Sequence, residues 1–269
     1  MPTYHHLAAR ALAALSAAAL LSACDNAVGA RNDDGTFYGA PVTVGAGTAR
    51  TYVTLSHGAP SELGVAIRET GLDGLPQPAP GTMPDMGHPD MTEYLLPLPP
   101  QAAATPYRTV EVDWNPHGHE PAGVYDQPHF DFHFYTISLA ERNAIDPADA
   151  GFDQKAANHP PAEMLPQGYV PIPGAVPRMG VHWVDPASPE LHGQPFTHTF
   201  IYGSWDGRVT FTEPMVTRAY LLTRPAFVAA MPVPQKVAAP GSYPATQRIY
   251  WSADTREYRV ALSDFAARQ

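Results

Sequence analysis

The chain has 269 residues with a formal net charge of −10 at pH 7, and it contains 31 prolines and a single cysteine. So many prolines argue against a helical bundle, because proline breaks helix interiors but suits short strands joined by stiff loops. The acidic balance, without a cluster of Lys or Arg, argues against nucleic acid as a partner. Composition therefore predicts a β-rich protein that binds no nucleic acid.

The first 23 residues are typical of a signal peptide. Arg10 precedes an apolar run from Ala11 to Leu21 that is too short to span a membrane. The run leads into Leu21-Ser-Ala-Cys24, which resembles the lipobox of bacterial lipoproteins, where the cysteine becomes the lipidated first residue. An ordinary secretory signal with a chance cysteine is the alternative. Lipidation also explains why an exported chain carries one unpaired cysteine.

These boundaries predict three segments: a signal peptide over 1–23, a tether over 24–35 and one β-rich domain over 36–269. Removal of 1–23 takes away Arg10 and no acid, so the formal charge becomes −11. Asp25 resembles the inner-membrane retention signal of some Gram-negative lipoproteins. The expected location is the cell envelope, with the lipid anchor in a membrane and the domain facing the periplasm or the exterior.

In chain order, period-two alternation and turn residues predict short strands with few helices between them. A capping box at Ser138-Leu-Ala-Glu141 predicts one short helix, and a helical turn is expected near 153–158. Asp206-Gly207 predicts a hairpin turn, and Pro214 predicts the first residue of a helix over 214–222. The predicted fold is mainly β, a β-sandwich or barrel with long Pro-rich loops and a few short helices. The predicted strands cover 37–44, 49–55, 62–69, 93–98, 107–114, 129–137, 179–184, 196–202, 208–212, 248–251 and 257–262.

Four of the twelve histidines fall within the seventeen residues from His117 to His133. Read as a strand, the sequence after Pro128 places His129, Asp131, His133 and Tyr135 on one face and three phenylalanines on the other. Imidazole and carboxylate groups that share one face of a strand are suitable ligands for a transition metal. The pattern therefore predicts a metal site beside an apolar core.

Further candidate ligands lie elsewhere in the sequence. The preceding loop carries His117-Gly-His119-Glu120, and its glycine allows the backbone to bend so that both rings turn inward. His182 and Glu213 are expected at strand ends. The predicted ligands of a single divalent metal are His119, His129, His133, His182 and Glu213, with Zn favoured and Cu or Fe as alternatives. Supporting roles behind the ligands are predicted for His117, Asp131 and Tyr135.

Two other interpretations of these residues remain open. Met83, Met86, His88 and Met91 form a loop whose thioether and imidazole groups suit Cu(I), although chance methionines in a Pro-rich loop explain it as well. The histidines of the predicted strand could also form a polar core without metal, their ring nitrogens bonded to backbone carbonyls. His57, His159, His192 and His198 are interpreted as solvated or structural.

Four segments together resemble an uncharacterised family of exported bacterial proteins: Asn-Pro-His-Gly-His-Glu-Pro (115–121), Gly-Val-Tyr-Asp-Gln-Pro-His-Phe-Asp-Phe-His-Phe-Tyr (123–135), Met-Gly-Val-His-Trp (179–183) and the run from Phe200 to the Glu-Pro-Met at 213–215. The resemblance implies export and a fold type but no reaction. The His-x-His pattern is also similar to cupins, which bind metal inside a β-barrel. The cupin spacing is not reproduced, because Glu120 follows His119 directly.

The sequence thus predicts a membrane-anchored extracytoplasmic lipoprotein that binds a divalent metal. One alternative is a metal-dependent, hydrolase-like or cupin-like enzyme with Glu120 as general base. Others are a metal-free envelope interaction protein and a copper-handling protein. The sequence names neither a small-molecule nor a protein partner.

Overall fold

The computed structural model describes Met1, residues 34–77 and residues 91–269. Two sets of predictions lie outside this part of the chain. They are the signal peptide with Cys24 and Asp25, and the Met83, Met86 and His88 members of the methionine-rich loop.

Antiparallel strands form most of the regular structure of the described ranges, and the helices there are short. The strands are β1 (Gly35–Tyr38), β2 (Val42–Val44), β3 (Gly47–Ser56), β4 (Ala59–Arg68), β5 (Thr92–Leu96), β6 (Thr109–Asn115), β7 (His129–Tyr135), β8 (Val170–Pro171), β9 (Val181–Val184), β10 (His198–Trp205), β11 (Arg208–Thr217), β12 (Ala226–Ala230), β13 (Gly241–Tyr243), β14 (Thr246–Ser252), β15 (Glu257–Ser263) and β16 (Ala266–Arg268). The α-helices are α1 (Leu139–Asn143), α2 (Phe152–Ala157) and α3 (Arg218–Leu222). Single 3₁₀ turns occur at Glu69–Leu72, Pro100–Ala104, Ala162–Met164 and Pro189–His192.

The strands build two large sheets and one small one. The first sheet has the order β1-β3-β4-β15-β14-β12, with β2 also paired to β3. The second has the order β5-β6-β7-β11-β10-β9-β8, and β13 pairs with β16 separately. Neither large sheet closes on itself within the described residues. The prediction of a mainly β, sandwich-like fold is therefore confirmed, and the barrel alternative is wrong.

One apolar core joins the two large sheets. Val53, Val65 and Val260 enter it from the first sheet, and Val112 and Phe132 enter it from the second. All five are fully buried or nearly so. Since successive side chains of a strand point to opposite faces, the residues that alternate with these lie on the outer faces of the sheets. The outer face of the second sheet carries the candidate site.

Local sequence signals placed several elements correctly. Ser138 and Glu141 form the predicted capping box at the start of α1. Asp206 and Gly207 both have positive φ, 47° and 77°, and they form the turn between β10 and β11, as the Asp-Gly pair predicts. The predicted strand over 37–44 is divided in two, because the chain leaves the ladder between Tyr38 and Val42.

The helix predicted from Pro214 is wrong over its first four residues. Strand β11 continues through Pro214 to Thr217, and α3 begins only at Arg218, where the Thr217 side chain caps Tyr220 N–H. Pairing between β11 and β7 runs to Thr212, is absent at 213 and 214, and resumes at Met215. A proline has no N–H for the ladder, so the strand accommodates it where the pairing is interrupted.

In the described ranges, no helix is both long and apolar enough to cross a membrane.

Candidate metal centre

Strand β7 is completely buried and has two chemically different faces. Phe130, Phe132 and Phe134 point into the core between the sheets. His129, Asp131 and His133 alternate with them, so they lie on the outer face, beneath the loops that cover this sheet. The strand and the separation of its faces agree with the sequence prediction over 129–137.

The neighbouring strand β6 contributes acids that the sequence analysis missed. Glu111 is paired in register with His133, and Asp113 with Asp131. The signal was present as Glu111-Val-Asp113-Trp-Asn115, an alternation with the same period as that of the histidine strand. We call this outer surface the histidine face, and its polar members are Glu111, Asp113, Asn115, His119, His129, Asp131, His133, Tyr135, His182 and Glu213.

His119, His129 and Asp131 form the first cluster of possible ligands, which we call the His119 group. Their donor atoms all lie within 4.8 Å of one another. His129 Nε2 is 3.1 Å from Asp131 Oδ1, and His119 Nε2 is 3.3 Å from Asp131 Oδ2. The Asn115 amide donates to the same Oδ2 atom over 2.7 Å. Asp131, predicted as a supporting residue, thus lies between two imidazoles in the position of a ligand.

A tight loop brings His119 over the strand. His119 N–H donates to Tyr125 O over 3.2 Å, closing the loop between them. Gly118 has a φ of +72°, and a Cβ there would lie 2.1 Å from Tyr125 O. Only glycine fits this conformation, so the Gly between His117 and His119 bends the backbone as expected, but His119 alone turns inward, since His117 is exposed.

Backbone carbonyls fix the orientation of both imidazoles in the His119 group. His119 Nδ1 is 2.7 Å from Glu120 O, and His129 Nδ1 is 2.6 Å from Gln127 O. A carbonyl only accepts, so each Nδ1 carries the hydrogen and donates. In the neutral ring the Nε2 atom then has a free lone pair, and in both residues Nε2 points toward Asp131. This is the arrangement in which histidine binds metal through Nε2.

His133, His182 and Glu213 form the second cluster, the His182 group. Glu213 Oε2 is 3.3 Å from His133 Nε2 and 3.7 Å from His182 Nε2. No cluster of mutually close donors among the described residues contains both His129 and His133. The five ligands predicted for one ion are therefore brought together as two groups, with Asp131 added to the first.

A third cluster shares His133 with the second. Glu111, Asp113 and His133 also have donor atoms within 4.8 Å of one another, with His133 Nδ1 3.3 Å from Asp113 Oδ2. Glu111 differs from the other acids because it forms a short ion pair with Arg142, which is itself buried and also bonds Glu93 over 2.9 Å. The guanidinium compensates the charge of Glu111.

The remaining buried acids of the histidine face have no such partner. Asp113, Asp131 and Glu213 are between 0% and 4% exposed. Nine buried side-chain atoms of this face have no hydrogen bond of acceptable geometry: Glu111 Oε2, both oxygens of Asp113, His129 Nε2, Asp131 Oδ1, both ring nitrogens of His133, Tyr135 Oη and Glu213 Oε2. Buried carboxylates without hydrogen bonds are costly unless a cation lies among them.

The pKa values of the face reflect this crowding. Burial lowers the pKa of His119, but the hydrogen bond and charge of Asp131 raise it further, to about 9. Burial raises the pKa of Asp113, and the neighbouring carboxylates Glu111 and Asp131 raise it again. Burial also raises the pKa of Glu213, which His133 only partly opposes. Asp113 and Glu213 therefore favour their protonated forms, whereas the effect of burial on Asp131 is overcome by His129 and His119, which hold its pKa well below its usual value.

The other described residues predicted for the site do not contribute donor atoms to the three clusters. His117 is exposed, and so is Glu120, whose carboxylate accepts from Ala122 N–H over 2.7 Å within its own loop. Tyr135 is fully buried and stacks on His133 at a centroid distance of 5.5 Å. Met91, the one described residue of the methionine-rich loop, packs in a buried apolar cluster with Tyr135.

The histidines interpreted as structural lie away from the histidine face or pack against aromatic rings. His198 stacks on Tyr220, and His159 makes an edge contact with Trp183. His192 Nε2 is 2.9 Å from Pro186 O, and His57 is exposed at the turn between β3 and β4.

Residues 56–114 are similar to the TTHB210-like family, described as hypothetical protein TTHB210. This agrees with the expected resemblance to an uncharacterised family. The matched segment covers less than half of the chain; it includes Glu111 and Asp113 and ends before the loop and strand that carry His119 and His129. Neither the curated proteins nor the solved structures gave a match to this chain.

Proposed function

We propose that this protein is an envelope lipoprotein whose domain binds a divalent transition metal at the His119 group. The observation that carries the proposal is the convergence of two imidazole Nε2 atoms, each fixed by a backbone carbonyl at Nδ1, on one buried carboxylate. Zn is the favoured metal, with Cu and Fe as alternatives, because two imidazoles and a carboxylate suit all three.

The distances in the group fit coordination of one ion. Ligand atoms at about 2.0–2.2 Å from a tetrahedral ion are separated from each other by about 3.3–3.6 Å. The nitrogen–oxygen separations here are 3.1 and 3.3 Å. These two distances involve different oxygens of Asp131, and one donor atom from each of the three residues lies within 4.8 Å of the others, which supports coordination of one ion.

A metal-free polar core is the main competing explanation. In that case both imidazoles would be protonated and would bond Asp131 as a charged triad. The geometry favours metal, since His129 Nε2 and Asp131 Oδ1 are 3.1 Å apart but are not aligned for an N–H donor. A ring nitrogen that faces a carboxylate without donating to it is better accounted for by a shared cation.

A metal-dependent enzyme is the second candidate function. The His119 group offers three protein ligands, which leaves a tetrahedral ion one position for water or substrate. The side chain of His119 retains 14% exposure, so this edge of the site reaches solvent. Glu120, exposed on the same loop, is the proposed general base.

The envelope location is supported by sequence. Leu21-Ser-Ala-Cys24 after an apolar run supports lipidation, and Asp25 supports retention in the inner membrane. The partner of the anchor is then the membrane itself, while the domain carries the metal.

Metal content of the purified full chain tests the proposal. We expect bound metal by elemental analysis after dialysis, and loss of one equivalent in His119→Gln and in His129→Gln. His57→Asn is the matched control, because His57 is exposed at a distant turn with φ of +53°, a conformation that asparagine tolerates. A wild-type protein that takes up no Zn, Cu or Fe, or variants that retain the full content, would show that the charged-triad explanation is correct.

A further inference from the structure

The His182 group is a second set of converging donors on the same face. It is built from three strands: His133 on β7, Glu213 on β11 and His182 on β9. Both His133 Nε2 and Glu213 Oε2 are buried without a hydrogen bond, although the two atoms are 3.3 Å apart. His182 Nε2 completes the group at 3.7 Å from the same oxygen.

Phe211 holds the two imidazoles of this group in place. Its ring makes edge contacts with His133 at 5.0 Å and with His182 at 5.4 Å between centroids. It lies over Gly203 of β10, where a Cβ would come within 1.9 Å of the ring. The absence of a side chain at position 203 thus makes room for the Phe211 ring, which positions the imidazoles of His133 and His182.

Within the part of the chain that the structure describes, the basic side chains next to Glu213 are histidines, and no Arg or Lys forms an ion pair with it. Arg142, the buried cation of this face, bonds Glu111 and Glu93 instead. Strand β11 does not pair with β7 at Glu213 and Pro214, so the backbone ladder is interrupted where the Glu213 carboxylate lies next to His133. A buried carboxylate that faces two imidazole nitrogens is stabilised by a positive charge there, either the proton of an imidazolium or a metal ion.

His133 has two ring nitrogens, and the structure distinguishes their roles. Nδ1 faces Asp113 and Glu111, and the latter is already paired with the Arg142 guanidinium, which would repel a divalent ion. Nε2 faces Glu213, which also lies near His182, and in the described ranges no Arg or Lys pairs with this carboxylate. Asp113 Oδ2 lies 3.3 Å from Nδ1 without a hydrogen bond of acceptable geometry, so we assign it as a positioning residue, the place that carboxylates commonly take behind metal-bound histidines.

We propose that a second divalent transition metal binds to His133 Nε2, His182 Nε2 and Glu213 Oε2, beside the His119 group. The two groups share no ligand, so this site can be tested independently of the first. His182 is 14% exposed at its side chain, which leaves the outer coordination position of this ion facing solvent. The histidine face then holds two ions, each with two imidazoles and one carboxylate.

The number of metal ions bound per chain tests the proposal. The full chain is purified in detergent, stripped with a chelator and titrated with Co²⁺ and Zn²⁺, with bound metal counted after equilibrium dialysis. We expect two equivalents in the wild-type protein and one in His182→Gln. Asp113→Asn should weaken the second site by about 10–100-fold and leave the first unchanged.

The controls separate this proposal from the preceding one. His57→Asn should retain two equivalents, and thermal unfolding of each variant without metal reports whether it folds. If His119→Gln retains both equivalents while His182→Gln loses one, the second site is correct and the first is wrong. Two results would overturn the second site. One is a wild-type protein that binds one metal ion per chain and still binds one after His182→Gln. The other is a second equivalent whose affinity changes in neither Asp113→Asn nor His182→Gln.

Discussion

At the scale of single residues, the decisive feature is which ring nitrogen carries the proton. Glu120 O and Gln127 O determine this for His119 and His129, since a carbonyl oxygen leaves no choice of donor. The Asp131 carboxylate between the two rings then attracts a positive charge to the space next to each Nε2. A proton and a metal ion compete for that position, so binding must depend on pH.

Metal affinity at the His119 group should increase with pH. The pKa of His119 is about 9 without metal, so below that pH an ion must displace its proton. For one displaced proton, affinity rises by up to about tenfold per pH unit until pH 9 is passed. Isothermal titration with Zn²⁺ at several pH values measures this slope, which belongs to the equivalent that is lost in His119→Gln.

Stability of the metal-free protein should change in the opposite direction. The folded pKa of His119, about 9, lies above the value of about 6.5 in an unfolded chain, so its contribution is complete below pH 6.5 and is lost as pH rises through 9. The raised pKa values of Asp113 and Glu213 act in the same sense, because their ionisation costs stability. An affinity independent of pH, or metal-free stability that increases from pH 6.5 to 9, would contradict this account.

At the scale of elements, β7 links the core to the site. Its phenylalanines pack between the sheets, while its histidines and Asp131 face the loops. Adjacent positions on the strand should therefore give separate effects when changed.

Phe132→Leu and Asp131→Asn test this separation. Phe132→Leu should lower the free energy of unfolding by about 0.5–3 kcal/mol, since it removes packing from a fully buried position, but it should leave metal content unchanged. Asp131→Asn should remove the ion of the His119 group. Chemical denaturation and elemental analysis of both variants measure the two effects, and Val228→Ala, at a position 59% exposed on β12, is the stability control. Equal loss of metal in both variants would refute two independent faces.

Element prediction from sequence succeeded where the signal is local. The period-two pattern after Pro128, the capping box at Ser138 and the Asp206-Gly207 turn each depend on a few neighbouring residues, and each is observed. Pro214 failed because its position in β11 depends on a gap in the pairing with β7, which neighbouring sequence does not encode. Local propensity was overridden by the sheet.

The candidate site shows the same limit. The sequence identified His119, His129, His133, His182 and Glu213, but it could not divide them between two groups. That division depends on strand order, which places β11 beside β7 and β9 two strands from β11. Glu111 and Asp113 were missed because an alternating acidic strand is uninformative until it is paired in register with histidines.

At the scale of the whole molecule, the anchor should determine where the metal is held. We expect Cys24→Ser to prevent lipidation, so that the protein accumulates as precursor or leaves the membrane fraction. Membrane fractionation with mass spectrometry of the N-terminus measures this outcome, and a change at Ser22 to Thr provides a comparison that retains the cysteine. A wild-type protein that is cleaved but carries no lipid would show instead that the segment is an ordinary secretory signal.

The ion pair between Arg142 and Glu111 has a consequence for how the chain folds. It compensates one of the four buried acids of the histidine face, while Asp131 lies between two imidazoles and Asp113 and Glu213 have no guanidinium partner among the described residues. In the language of energy landscapes, the inter-sheet core is consistent with its sequence, whereas this outer surface is locally frustrated. We expect the core to form first and the outer surface to become ordered last, so that the supply of metal ions limits the final stage of maturation.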